Sequence, residues 1–278
     1  MKYFLKKTLY IIIIIFALIG LFLTTGYVAI LLHLTNTNGV TTNQLLGSTN
    51  SNTDTTASST NDLNALTWEN TSEWATLSGA MTKDTGLIEH VSNITGVPAR
   101  LIAAQLVVEQ LRLYTSDRED FKQFFAPLDI LGVQSQFSLG IIGFKENTAI
   151  SVENYLKDPT SPYYPGPSYE HLLDFSTSNI SEERFNRLTD EHDHYYDYLY
   201  AALYIKEVET QWDNAGFNIS NNPGVISTLY NIGFAHSNPN ANPQVGGAEI
   251  DIGTTTWSFG SLAASFYNSD ELLAELPR

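Results

Sequence analysis

One ionisable side chain stands where a helix would bury it. In the stretch Arg100-Leu-Ile-Ala-Ala-Gln-Leu-Val-Val-Glu-Gln-Leu-Arg112, Glu109 follows Ile102 by seven residues and Leu106 by three, and precedes Leu113 by four. A period of 3.6 residues therefore puts its carboxyl on the apolar face. A carboxyl so placed pairs with a base, loses solvation and titrates high, or lines a cleft. With a raised pKa it can protonate an oxygen near neutral pH, which is the task of a general acid at a glycosidic bond. The helix alone leaves a plainer outcome open, a Glu bonded to a buried Arg or to loop amides.

Other groups could also do chemistry. Asp190-Glu-His-Asp-His-Tyr-Tyr-Asp197 concentrates ligand types, and Asp190 with His194, or Asp193 with Asp197, would share a helix face at i, i+4. No His-Glu-x-x-His pattern accompanies them, and charges at a helix start usually form a solvated, cap-stabilised face, so neither a metal nor any other cofactor is expected. Glu119, Asp120 and Asp129 could supply a second carboxylate to activate a hydrolytic water. The loop Tyr163-Tyr-Pro-Gly-Pro-Ser-Tyr169 offers aromatic faces for sugar rings or, as the favoured reading, packs over the core. The chain has no cysteine, which excludes disulfides, thiolate metal sites and cysteine nucleophiles.

The elements that must position these groups read as mostly α. Leu87, Ile88, Val91 and Ile94 at helical spacing predict a helix over Asp84–Thr95, and Pro98 opens a second over Ala99–Leu113. Further helices are expected over Asn147–Leu156, Ser181–Arg187, Asp190–Ala215 and Pro223–Asn231. Prolines 159, 162, 165 and 167 mark a loop, as do Pro239 and Pro243. Alternation of Ile250, Ile252 and Thr254 around Gly253 predicts a small β-hairpin over Glu249–Ser258. Phe259, Gly260, Phe266 and Tyr267 are expected in a closing helix or strand that completes the core.

Two segments downstream give Glu109 a context: Phe137-Ser-Leu-Gly-Ile-Ile-Gly-Phe-Lys-Glu-Asn-Thr-Ala149 and Ile226-Ser-Thr-Leu-Tyr-Asn-Ile-Gly233. Together with the Glu109 helix, their order resembles the goose-type lysozyme and lytic transglycosylase superfamily over roughly residues 97–234. The resemblance implies a mainly α, lysozyme-like domain in which Glu109 is the single catalytic acid. It makes Ser138 and Gly140 the turn, Thr148 and Ala149 part of the helix after it, and Tyr230, Asn231 and Gly233 the late motif whose Tyr points toward the acid, with Ser138, Gly140, Tyr230 and Asn231 binding substrate. Two departures stand out: Gln110 follows the Glu where the family often has Ser, and Gly143 takes the place of a turn Gln that helps hold the sugar. The reaction implied is cleavage of the MurNAc-GlcNAc bond, with the C6 hydroxyl of the muramic acid attacking its own anomeric carbon. A glycan-gripping module without turnover, or a partner-binding surface protein, are the competing classes.

The first quarter of the 278 residues reads differently. Lys2, Lys6 and Lys7 precede a nearly continuous apolar run over residues 9–34, long enough to cross the roughly 30 Å hydrocarbon core of a bilayer. A retained signal anchor is the reading, with residues 1–8 cytoplasmic by the lysine bias and the rest extracytoplasmic; a cleaved signal peptide is the alternative. Residues 35–66, dominated by Thr, Asn and Ser, are expected to be a flexible linker to a domain spanning 67–278. With 14 Lys and Arg against 30 Asp and Glu, a formal charge of −16, nucleic acid is not expected as a partner. The expected partners are peptidoglycan strands and the cell membrane.

Overall fold

Thr71 begins the first helix by accepting the Trp74 N–H on its side chain, and Gly96 ends it in the left-handed conformation with its N–H on the Ser92 carbonyl. Between these caps runs α1, Ser72–Thr95. It starts twelve residues before the stretch the sequence predicts, because Trp74, Leu77 and Met81 continue the buried stripe toward the N-terminus. The computed structural model describes residues 67–114, 138–190, 192–252 and 255–278, and of residues 113, 114, 138 and 139 the backbone alone. The expected cytoplasmic tail 1–8, anchor 9–34 and linker 35–66, the carboxylates of Glu119, Asp120 and Asp129, and the Ser138 side chain therefore lie outside the described residues. Among the described residues no helix is long and apolar enough to cross a membrane.

The described part is mainly α, with seven helices. After α1 come α2 (Ala99–Tyr114), α3 (Glu146–Tyr155), α4 (Ile180–Leu188), α5 (Tyr195–Asn214), α6 (Pro223–Ile232) and α7 (Phe259–Asn268). Two antiparallel strand pairs join them: β1 (Ser138–Leu139) with β2 (Phe144–Lys145), and β3 (Glu249–Ile252) with β4 (Thr255–Ser258). The second pair is the hairpin expected from the alternation, with Ile250 and Ile252 turned inward and Glu249 and Asp251 outward.

At the centre lies α2. Every residue from Leu101 to Val108 is buried, as are Glu109 and Leu111, and the helix packs against α1, α5, α6 and α7. A helix covered on all sides has no solvent face to offer a charge, so its polar residues must find partners inside the fold. Gln105 does so through Ser227 Oγ on α6 (2.9 Å) and the Leu101 carbonyl (3.0 Å). Arg100 donates to the carbonyls of Phe266, Tyr267, Ser269, Glu271 and Leu276, which gather at and beyond the C-terminal end of α7. The first of the described residues are clasped to the last as well, with Trp68 Nε1 on Ser265 Oγ (3.0 Å) and Trp74 Nε1 on Glu271 Oε2 (2.9 Å).

The long helix α5 starts five residues later than Asp190, where the sequence places it. Asp190 Oδ1 accepts the backbone N–H groups of His192 and Asp193, and Asp193 Oδ1 accepts that of Tyr195. These side chains satisfy the backbone in turns and so compete with the helix. The helical register needed for an Asp190–His194 or Asp193–Asp197 metal face is therefore absent, and the described residues contain no cluster of three or more metal-ligating side chains.

Candidate active site

Glu109 sits near the C-terminal end of α2, where the helix begins to leave the core, and is only 4% exposed. Its carboxylate meets Arg112 one turn on, with Nη2 2.7 Å from Oε2. The spacing i, i+3 places two side chains on adjacent turns of one face, so this partner was legible in the sequence. Gln110, where the resembled family often has Ser, donates from Nε2 to the Ile141 carbonyl at 2.7 Å. The helix thus presents an acid and an amide to the short connection between β1 and β2, with Arg112 paired to the acid.

That connection, Gly140 to Gly143, lies directly on the acid. Gly143 has φ +68°, and a Cβ built on it would fall 2.7 Å from both Cδ and Oε2 of Glu109. Only a residue without a side chain brings its backbone this close in a left-handed conformation. Gly140, with φ +61°, is in the same position on the other side, where a Cβ would strike Asp197 Oδ1 and the Leu188 carbonyl oxygen.

Tyr230 reaches the same connection from α6. Its hydroxyl donates to the Ile142 carbonyl at 3.0 Å, and its ring packs against Phe144, Tyr204 and Phe259. Burial holds its phenol well above the ordinary range, and the negative charges of Glu109 and Asp197 push in the same direction. Tyr230 is therefore a neutral donor at all ordinary pH values. Asn231, next in sequence, faces elsewhere: its Oδ1 accepts the Ala248 N–H at 2.8 Å and fastens the segment that leads into β3. Of the residues singled out from the sequence, Glu109, Gly140 and Tyr230 thus converge on one connection; Ser138 contributes its backbone to β1 opposite Lys145, and Asn231 braces a neighbouring loop.

The other candidates fall outside this cluster. Tyr163 is buried, stacks on Tyr155 with centroids 4.6 Å apart and donates to the Phe234 carbonyl, while the hydroxyl of Tyr169 is bonded to the Thr95 carbonyl. Both therefore pack over the core. His194 Nδ1 lies 2.7 Å from Asp84 Oδ2, which also accepts the Tyr198 hydroxyl at 2.8 Å.

Sequence reading missed one residue of the cluster. Asp197, considered only as a metal ligand, is 1% exposed, and its Oδ1 is the atom that a Cβ on Gly140 would strike first. Desolvation pushes its carboxyl up to about 8; the nearby backbone amides of Ile141 and Ile142 pull it down, and Asp190 and Asp84 push it further up. A signal existed, since Asp197 stands beside Tyr196, Tyr198, Leu199 and Tyr200 in an apolar run, as Glu109 does.

No family model, curated protein or solved structure matches the chain.

Proposed function

We propose that residues 67–278 form a lysozyme-like domain that cleaves the glycan strands of peptidoglycan as a lytic transglycosylase, held outside the cell membrane by the apolar segment 9–34. One observation carries this reading. Three segments whose order resembles the superfamily meet at a single point: the Glu109 carboxylate, the Gly140–Gly143 connection above it, and Tyr230 bonded to that connection. Chance matches to short motifs have no reason to converge in space.

In the proposed reaction Glu109 donates its proton to the bridging oxygen as the C6 hydroxyl of the muramic acid attacks the anomeric carbon. It then takes up the hydroxyl proton as the 1,6-anhydro ring closes. Gly143 leaves the carboxyl room at the connection, and Tyr230 fixes that connection through Ile142. Fixed neighbours of this kind act by preorganisation, since a misplacement of about 1 Å in such a site costs on the order of 100-fold in rate.

A second reading has its own support. The Arg112 ion pair and the near-complete burial of Glu109 suit a lysozyme-like module that grips glycan without turning it over. Incubating the detergent-solubilised chain with purified sacculi separates the two. Release of 1,6-anhydro muropeptides that is abolished by Glu109→Gln supports the transglycosylase, and release of reducing ends alone makes it a muramidase. Binding without soluble product selects the module; neither binding nor product removes both readings.

A further inference from the structure

We infer that Arg112 is a positioning residue that acts through Glu109, its guanidinium stabilising the carboxylate between loss of a proton to the leaving sugar oxygen and recovery of one from the C6 hydroxyl. This role rests on the function proposed above; the ion pair beneath it does not. Nη2 of Arg112 stands 2.7 Å from Oε2 of Glu109, and the two side chains are 16% and 6% exposed. A pair so shielded is screened by salt and water far less than one on the surface. The connection between β1 and β2 closes another side of the carboxyl, since a Cβ on Gly143 would meet its Cδ and Oε2.

The proposed reaction asks two opposite things of this one group. First the O–H bond of Glu109 breaks as its proton moves to the bridging oxygen, which takes the electron pair of the breaking glycosidic bond. Then the C6 oxygen bonds to the anomeric carbon, and the proton it sheds returns to the carboxylate. Negative charge on Glu109 is thus absent at the start, develops in the transition state and persists until the ring closes. A cation at 2.7 Å acts most strongly on the charged form, so Arg112 favours departure of the proton more than it stabilises the protonated enzyme.

The same contact has an opposite effect on the enzyme before substrate arrives. An adjacent positive charge favours the ionised carboxyl, and an ionised carboxyl has no proton to give. With Arg112 in place, activity therefore declines on the alkaline side at a lower pH than it would without it. Arg112 gives a higher rate in acid and a narrower working range. Among the described residues, the phenol of Tyr230 on α6 also bears on Glu109, and Gly140 to Gly143 carry no titratable side chain. Asp197 on α5 faces Gly140 at the other end of the connection, Asp84 on α1 is bonded to His194 and Tyr198, and Tyr267 on α7 lies by Arg100 at the far end of α2.

The test compares Arg112→Met and Arg112→Lys with the wild type in the detergent-solubilised full chain. Methionine keeps an unbranched apolar stem and removes the charge, whereas lysine keeps the charge. In Arg112→Met the Glu109 carboxyl, followed through the NMR resonance of its Cδ, is expected to titrate about 1–3 pH units higher than in the wild type. Its kcat for muropeptide release on the acidic plateau should fall about tenfold with KM little changed, while the alkaline limb moves up with the titration, so that the two pH profiles cross. Arg112→Lys should stay close to the wild-type midpoint. A packing role alone would lower the profile at every pH and move no midpoint. A Glu109 titration unmoved in Arg112→Met, profiles that do not cross, or an Arg112→Lys midpoint that follows Arg112→Met overturns the inference. Should Arg112→Met fail to fold, the Nη resonances of Arg112 decide: they should titrate with Glu109 in the wild type and cease to do so in Glu109→Gln, and resonances that ignore Glu109 overturn it equally. If the wild type releases no product, the proposed function and the part of Arg112 in it both fail, and a titration that still moves in Arg112→Met places that failure in the function and not in the ion pair.

Discussion

The backbone of Gly143 lies over the carboxyl of Glu109 so closely that a methyl group on its Cα would sit 2.7 Å from the carboxyl carbon. Alanine at this position is therefore wrong twice, by its left-handed φ of +68° and by the clash. The conformational part alone costs about 1–2 kcal/mol, which in a domain of this size lowers the melting temperature by about 2–8 °C. Gly143→Ala is expected to show that loss by calorimetry and, because the clash displaces Glu109, to reduce muropeptide release by on the order of 100-fold. Gly143→Gln, which restores the side chain of the resembled family, should fail for the same reason. Wild-type activity in either variant would mean that the carboxyl does not depend on the clearance.

Tyr230→Phe isolates one hydrogen bond. The ring keeps its packing against Phe144 and Tyr204, both with centroids 5.2 Å away, and what disappears is the donor to the Ile142 carbonyl. Leaving a buried acceptor unsatisfied costs about 1–3 kcal/mol, so the urea midpoint should fall with an unchanged slope. Turnover should fall less than in Glu109→Gln, because Gln110 still holds the neighbouring Ile141 carbonyl. A loss equal to that of Glu109→Gln would show instead that the hydroxyl takes part in the chemistry.

These residues were legible in the sequence to different degrees, for physical reasons. Glu109 stood out because a charge among Leu, Val and Ile at helical spacing breaks the pattern; a buried Arg was left open as its partner without being named, although Arg112 stands one turn on. That α2 is enclosed on every side was not legible, since periodicity reports one buried face and cannot say whether a fourth helix covers the other. Gly143 read as a missing Gln, yet in the fold it is a glycine required by close approach, which depends on where residues 34 positions apart meet. The start of α5 was misplaced because Asp190 and Asp193 bind nearby backbone N–H groups, and that local competition does not show in a hydrophobic pattern. Asp197 was seen as a ligand type and lost to the site because its place against Gly140 depends on where residues 57 positions apart meet.

Arg100 offers a test of the fold that does not involve the candidate site. Its guanidinium is fully buried and donates to five carbonyl oxygens, three of them in the last turn of α7 or just beyond it. Carbonyls at a helix C-terminus are the negative end of its dipole, so they compensate the charge together with the more distant carboxylates of Asp270 and Glu271. Lysine cannot reproduce the planar fork, and Arg100→Lys should leave several of these acceptors unsatisfied at a cost of about 1–3 kcal/mol each. We expect a large drop in melting temperature for Arg100→Lys and loss of folded protein for Arg100→Ala. An Arg100→Lys protein as stable as the wild type would mean that the C-terminal residues do not depend on this contact.

The buried acids also set how stability follows pH. Asp197 is pushed up to about 8 by burial, and burial alone carries Glu207 well above the ordinary range. For such groups the folded state keeps a proton that the unfolded chain releases near pH 4. Stability is thus fully present below the unfolded value and is lost as pH rises through the window up to the folded one. Each group contributes a slope approaching about 1.4 kcal/mol per pH unit inside that window. Glu183 acts in the opposite sense: hydrogen bonds from the Ser176 and Thr177 backbone hold it down at about 2, so its contribution is present above the ordinary carboxylate range and lost as pH falls toward 2. The melting temperature should therefore be greatest near pH 4 to 5 and decline steadily toward pH 8, and Asp197→Asn should flatten the decline. A melting temperature that rises between pH 5 and pH 8 would show that Asp197 and Glu207 ionise at the same pH in the folded and unfolded chain.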